Sequence, residues 1–328
     1  MNERDSVIRA FAENAGWGGA KVAAIPGDAS FRRYFRLIEA DRRAILMDAP
    51  PPEEDPRPFL DVARYLTDQG LRAPNIHAAD AQAGLVLLED FGDVRMRESV
   101  DASNEETERA VYRQAIETLA QLHDRPAASV PLYDHAVYQR EAGLFTEWYC
   151  TARGLDVDVA GYVRSWDAVL DKMDTSAPQV TVLRDYHAEN IMLLDDGGQG
   201  LLDFQDALVG DPAYDLVSLL QDARRDVTPA LEAEMIATYR TMANPAYDFD
   251  TAYHVLGAQR NAKIVGIFVR LWKRDGRPRY PLMIPRVWGA LERDLKHPAL
   301  APVADWFDAN IPAELRDPAG TLGGEFAL

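Results

Sequence analysis

Three oxygen-bearing side chains stand in a fixed order within one apolar stretch of this chain. The run Val182-Leu183 ends in Arg184-Asp185, Asn190 follows five positions after Asp185, and Leu201-Leu202 ends in Asp203. The apolar run Ile191 to Leu194 and the turn Asp195-Asp196-Gly197-Gly198 lie between. The segment therefore reads as a hairpin that gathers Asp185, Asn190 and Asp203 around one point. Two carboxylates and an amide oxygen form a hard-oxygen set, suited to Mg2+ bridging phosphates and unsuited to a soft metal. Phosphoryl transfer needs one carboxylate to orient the attacking hydroxyl and take its proton, and a metal to neutralise charge on the β- and γ-phosphates. Asp185, first in the loop, is assigned as the base, with Asn190 and Asp203 as the metal ligands. Any one of the three alone would read as a turn former; the ordered set points to chemistry.

The elements that must hold this island divide the chain. Before it come a helix over about 5–17, closed by Gly16-Trp17-Gly18-Gly19, and β-like runs at Val22 to Ile25, Phe31 to Ile38 and Ala44 to Met47. A proline-rich connector spans Pro50 to Pro56, a helix carries Phe59, Val62, Ala63 and Leu66 and closes near Gly70, and a strand runs from Leu85 to Leu88 into Glu89-Asp90-Phe91-Gly92. Beyond that point helical periodicity dominates, at 105–123, 135–152, 158–172, 212–224, 228–242, 250–274 and 284–295.

Composition narrows the class. The 328 residues suit two lobes with a substantial core, and a net charge of −18 disfavours nucleic acid and anionic lipid as partners. The single cysteine, Cys150, permits no internal disulfide and no cysteine-based zinc site. The N-terminal residues lack a signal-peptide core, and no apolar run approaches the roughly 20 residues of a membrane span. A cytoplasmic protein is the expectation.

Asp185-x-x-x-x-Asn190 followed by Asp203-Phe204 resembles the catalytic loop and metal motif of protein-kinase-like enzymes. His187 and the tail Gly210-Asp211-Pro212-Ala213-Tyr214-Asp215-Leu216 are more similar to the aminoglycoside phosphotransferase superfamily. Within it, Gly27 to Arg36, Leu46-Met47-Asp48-Ala49-Pro50-Pro51, Asp203 to Ala207 and the run from Gln259-Arg260 through Gly266 to Tyr280 resemble the kinases of cell-wall recycling that phosphorylate the anomeric hydroxyl of N-acetylmuramate and N-acetylglucosamine. The resemblance implies an α+β, two-lobed protein-kinase-like fold, with a small antiparallel-sheet N-lobe and a larger, mainly helical C-lobe. It implies a nucleotide-binding lobe over 1–90, a catalytic and substrate-binding lobe over 91–328, ATP and Mg2+ as cofactors, and a sugar 1-phosphate as product. Main-chain groups at Glu89 and Phe91 would meet adenine, and Asp215 would brace the catalytic loop.

One departure stands out. The strand Ala44 to Met47 lacks the lysine with which kinase-like folds grip the α- and β-phosphates. Arg32, Arg33 and Arg36, beside the turn Gly27 to Ser30, are the candidates to replace it; Arg32 and Arg36 share one strand face and Arg33 takes the other. Ser30, Arg32 and Arg33 are carried as nucleotide-binding residues, and His187, Asp206 and Arg260 as substrate-side residues. His187 reads as a loop brace ahead of a catalytic group, Asp206 equally as a cap, and Arg260 with Gln259 and Lys263 as the polar face of a helix. Two other functions compete. One is an aminoglycoside or other small-alcohol kinase, whose polycationic substrates an acidic surface attracts. The other is a nucleotide-binding pseudokinase scaffold, motivated by the missing lysine and opposed by the intact Asp185, Asn190 and Asp203.

Overall fold

The computed structural model describes residues 3–26, 31–100 and 104–322 and falls into two compact units, Met1–Ser99 with Glu189–Ala207, and Val100–Ala188 with Leu208–Leu328. The turn at 27–30, with Ser30, lies outside the described residues.

In the first unit, β1 (Lys21–Ile25), β2 (Arg33–Ile38), β3 (Arg43–Asp48), β4 (Ile76–Asp80) and β5 (Leu85–Glu89) form an antiparallel sheet in the order β1-β2-β3-β5-β4. Pairing sets Leu37 opposite Ala44, Phe35 opposite Leu46 and Arg33 opposite Asp48, so these side chains share a face. That face buries Leu37, Ala44, Leu46, Leu85 and Leu87 against Ile8, Ala12 and Trp17, contributed by α1 (Glu3–Asn14) and the turn after it. The opposite face carries Tyr34, Met47 and Val86 in one cross-strand row and Arg36, Ile45 and Leu88 in the next.

Helix α2 (Arg57–Asp68) begins where the proline connector ends and buries Phe59, Leu60, Val62, Ala63 and Leu66 along one stripe; burying each large side chain stabilises by about 1.5–3 kcal/mol. The chain turns away at Gly70, whose φ of 78° suits a residue without a Cβ. A short α3 (Met96–Ser99) closes this part of the chain. The hairpin of β7 (Ile191–Leu193) and β8 (Gln199–Leu201) joins the same unit through backbone bonds: Leu201 N–H donates to the Arg72 carbonyl and Leu193 N–H to the Val94 carbonyl, both at 2.8 Å.

The second unit is mainly helical: α4 (Glu105–His123), α5 (His135–Ala142), α6 (Val159–Leu170), α7 (Ala213–Leu220), α8 (Pro229–Ala243), α9 (Phe249–Lys273), α10 (Ile284–Asp294) and α11 (Ala301–Asn310), with β6 (Val180–Val182) paired antiparallel to β9 (Leu208–Gly210). Five of these helices start at a side chain that accepts an N–H of the first turn, from Asn104, Asp134, Asp158, Thr228 and Asp248. The expected helix over 135–152 is interrupted: α5 stops at Gly143, and Phe145–Cys150 winds as a π-helical segment. Its Phe145 ring packs on Tyr149, Trp288 and Phe307. Gly266 of α9 lies directly against the Leu144 carbonyl at this break, so close that a Cβ there would overlap it. No helix among the described residues is long and apolar enough to cross a membrane.

Candidate active site

Each unit carries part of the expected constellation. In the second unit, β6 leads into a loop pinned from below. The Asp215 carboxylate, on the buried first turn of α7, accepts the Leu183 N–H at 2.7 Å and the Arg184 N–H at 2.8 Å. Ser218 Oγ donates to the Arg184 carbonyl at 3.1 Å and in turn accepts from Arg260 Nη2 at 2.8 Å. This grip holds Arg184 at φ 70°, a left-handed backbone that costs a residue with a Cβ about 1–2 kcal/mol. Such strain persists only where surroundings over-determine it, and it is observed here immediately before Asp185.

Asp185 sits among cations. Burial pushes its carboxyl upward, but His187, Lys263, Arg260 and Arg184 overcome this and hold it below the usual carboxylate range. His187 is itself pushed down to about 4, by burial first and by Arg224 second. Its ring is thus neutral at pH 7, and the lasting positive charges around Asp185 are the lysine and the two arginines. Arg224 Nη1 lies 3.1 Å from His187 Nε2; arginine only donates, so Nε2 accepts and the ring proton resides on Nδ1. Ala188 N–H donates to Asp222 at 3.1 Å, which fixes the far end of the loop.

The cations are held by a buried carboxylate. Glu141 of α5 pairs with Lys263 Nζ at 2.9 Å, with Arg184, and with the Tyr133 hydroxyl. Burial raises the Glu141 carboxyl, and Lys263 and Arg184 more than reverse the effect. Lys263 also meets the Tyr214 hydroxyl at 3.2 Å. Arg260 is 3 % exposed and its Nη1 has no hydrogen-bond partner.

In the first unit, Asn190 and Asp203 close the β7–β8 hairpin. Leu202 N–H donates to the Asn190 carbonyl at 2.9 Å, and Asn190 Nδ2 approaches Asp203 Oδ2 at 3.4 Å. Asp203 also has a left-handed backbone, with φ 59°. Gln205 Nε2 donates to Asp203 Oδ1 at 2.9 Å and approaches Asp206 at 3.5 Å, so Asp206 shares this corner. Phe204 is fully buried and stacks on Phe59 of α2. Among the described residues no three His, Cys, Asp or Glu side chains gather into a metal cage. A single carboxylate beside a single amide suits a cation that takes its remaining ligands from phosphates and water, as Mg2+ does.

The three arginines, Arg32 just before β2 and Arg33 and Arg36 within it, separate. Arg33 lies on the α1 face and, with Arg4, pairs with the fully buried Asp48. Arg36 binds Asp90 at 2.7 Å and Asp93 at 2.8 Å. Arg32 pairs with Glu54 at 3.0 Å. At the other end of β5, Glu89 is occupied: its carboxylate holds Arg72 and the Asn75 amide, and its N–H donates to the Asn75 carbonyl at 2.9 Å. The Phe91 ring lies against Gly200, where a Cβ would come within 2.6 Å of it.

Glu54, Ser218, Asp222 and Arg224 escaped the sequence reading. Asp222 had a signal, since it follows Asp215 by seven residues, two helical turns. The other three are isolated polar residues that only packing identifies.

Residues 21–253 match the model of the phosphotransferase enzyme family. A protein of Caulobacter vibrioides named N-acetylmuramate/N-acetylglucosamine kinase is 36 % identical, covering 96 % of this chain and 99 % of its own. One of Pseudomonas aeruginosa with the same name is 38 % identical over 90 % and 91 %. Among solved structures, the choline kinase LicA of Streptococcus pneumoniae superposes with a TM-score of 0.65 over 92 % of this chain and 99 % of its own, at 13 % identity. The ADP-bound aminoglycoside phosphotransferase APH(2'')-Ib gives 0.60 over 88 % and 96 %, at 14 % identity. These likenesses bear out the α+β, kinase-like fold.

Proposed function

This chain belongs to the phosphotransferase enzyme family, and we propose that it is an ATP-dependent sugar kinase that phosphorylates N-acetylmuramate and N-acetylglucosamine on the anomeric hydroxyl. Asp185 carries the reading of reaction type: a carboxylate kept ionised by three cations, at the head of a loop pinned by Asp215. The sugars come from the four relatives of that name, 34–38 % identical over 84–96 % of this chain. Peptidoglycan recycling in the cytoplasm is the setting that goes with them.

In the proposed mechanism Asp185 accepts the proton of the C1 hydroxyl as the oxygen attacks the γ-phosphorus of ATP and the bond from that phosphorus to the β,γ-bridging oxygen breaks, releasing ADP. Lys263, Arg260 and Arg184 keep the base ionised between turnovers, and His187 braces the loop through Arg224. Asn190 and Asp203 would hold Mg2+, which supplies charge neutralisation on the β- and γ-phosphates. The residues 1–90 are proposed as the nucleotide-binding lobe and 91–328 as the lobe for catalysis and sugar. With the Glu89 N–H already donated, adenine would be met by the Glu89 carbonyl or the Phe91 main chain.

The test is an assay with Mg·ATP against N-acetylmuramate, N-acetylglucosamine, kanamycin, choline and homoserine, with products read by phosphorus NMR. An acid-labile sugar 1-phosphate from the amino sugars is expected. Absence of turnover with both sugars overturns the substrate assignment, and turnover of kanamycin or choline instead moves the acceptor while keeping the chemistry.

A further inference from the structure

The phosphate-gripping lysine is absent from β3, where Ala44, Leu46 and Met47 are fully buried apolar residues. We infer that Arg32 is the phosphate-gripping cation of this chain and that Glu54, in the proline connector ahead of α2, is its positioning residue. The assignment rests on the kinase reading above and goes beyond it, because three arginines stood open and Glu54 had no role.

The geometry separates the three. Arg33 and Arg36 are bound to Asp48 and Asp90, whose side chains are 0 % and 2 % exposed, so each neutralises a buried carboxylate. Arg32 differs in its surroundings. It stands one residue before β2, and its side chain reaches Glu54 in the connector rather than the Asp48 that Arg33 pairs with. Its guanidinium lies within electrostatic reach of Asp203, the proposed metal ligand, and within hydrogen-bonding reach of the Tyr34 hydroxyl. Burial opposes the Arg32 charge, and Tyr34, Glu54 and Asp203 outweigh it. A permanent cation within electrostatic reach of the proposed metal carboxylate is suited to stabilise a β-phosphate.

Glu54 makes the analogy with the lysine–glutamate pair of protein kinases concrete. It meets Arg32 at 3.0 Å, both side chains being mostly buried at 13 % and 16 % exposure. A planar fork with five donors can bind a carboxylate and a phosphate at once. Moving the pair from a strand lysine and a helix glutamate to the residue before β2 and the connector also accounts for the apolar run Ala44 to Met47 of β3.

The experiment measures nucleotide affinity by calorimetry, independent of turnover, for Mg·ATP, Mg·ADP and adenosine. Arg32→Ala is expected to weaken both phosphorylated ligands by about 10- to 100-fold, the range for a lost charged hydrogen bond, and to leave adenosine unchanged. Glu54→Gln is expected to give a smaller loss, and none further in the Arg32→Ala background, since coupled residues are not additive. Arg64→Ala, an exposed arginine on α2, controls for net charge. Unchanged Mg·ATP affinity in Arg32→Ala overturns the inference, as does an equal loss for adenosine with a lowered Tm. If neither amino sugar is turned over but the phosphate-selective loss is seen, the sugar assignment falls and the Arg32–Glu54 assignment stands.

Discussion

The Phe59 ring lies nearly parallel to the Phe204 ring, with centroids 5.0 Å apart and planes inclined at 18°. Phe204 follows Asp203 directly, so α2 props the residue whose backbone sets the carboxylate. Phe59→Ala is expected to cost about 3–5 kcal/mol by cavity formation, and to raise the Mg2+ concentration needed for half-maximal rate. Denaturant unfolding and a magnesium titration measure the two effects. A stability loss with unaltered magnesium dependence would separate the stack from Asp203.

Asp185→Asn removes the proposed proton acceptor and leaves the loop clamp of Asp215 intact. The expected result is a fall in kcat of about 10²- to 10⁴-fold, the usual span for a positioned base, with Mg·ATP affinity within threefold or so of the parent. Single-turnover kinetics with calorimetry check both. Full activity in this variant would move the base elsewhere.

Gly266→Ala tests the close approach of α9 to the break after α5. The added Cβ would overlap the Leu144 carbonyl, which is backbone and cannot swing aside. Overpacking of this kind costs about 1–3 kcal/mol, although alanine is the better helix former. A rise in Tm would show that the π-helical segment can shift to make room.

Asp215 gives a pH signature. Burial pushes its carboxyl up to about 7, against the Leu183 and Arg184 N–H groups that favour the ionised form. The folded state therefore binds more protons than the unfolded chain between about pH 4 and 7, and stability falls as pH rises through that window. Asp211 and Asp294, each raised to about 6 by burial, act in the same direction, so the measurement is a difference. Asp215→Asn should be offset in Tm by a constant from lost N–H acceptance, and its Tm should fall less than the parent's between pH 4 and 7. Parallel Tm curves would contradict the assignment.

The loop after β6 and the β7–β8 hairpin were legible because the residues that shape them, Asp185 to Asn190 and the Asp203-Phe204 pair, are local in sequence. The helices with clean apolar stripes, α2 and α4 among them, were legible for the same reason. What escaped was non-local or weakly patterned. Strand β4 reads Ile-His-Ala-Ala-Asp, with little β-preference and a register shift between Ile76 and Ala78. Pro298 and Pro302 masked the apolar positions Val303, Trp306 and Phe307 of α11. Arg33 and Arg36 could be sorted only once pairing with β3 fixed which of them faces α1, and Arg32 only by its ion pair with Glu54. Glu54 sits in a segment whose rigidity could be read, but its partner, 22 residues earlier, could not.

The first unit is discontinuous, because residues 189–207 belong with residues 1–99. During synthesis its sheet emerges long before the β7–β8 hairpin that carries Asn190 and Asp203. At about 5–20 residues per second, the hundred or so residues between delay completion by about 5–20 seconds, while the Leu193 and Leu201 N–H partners at Val94 and Arg72 wait exposed. A nascent chain released before residue 207 would lack the segment that finishes this unit, so truncated translation products should be substrates for proteolysis rather than folded fragments.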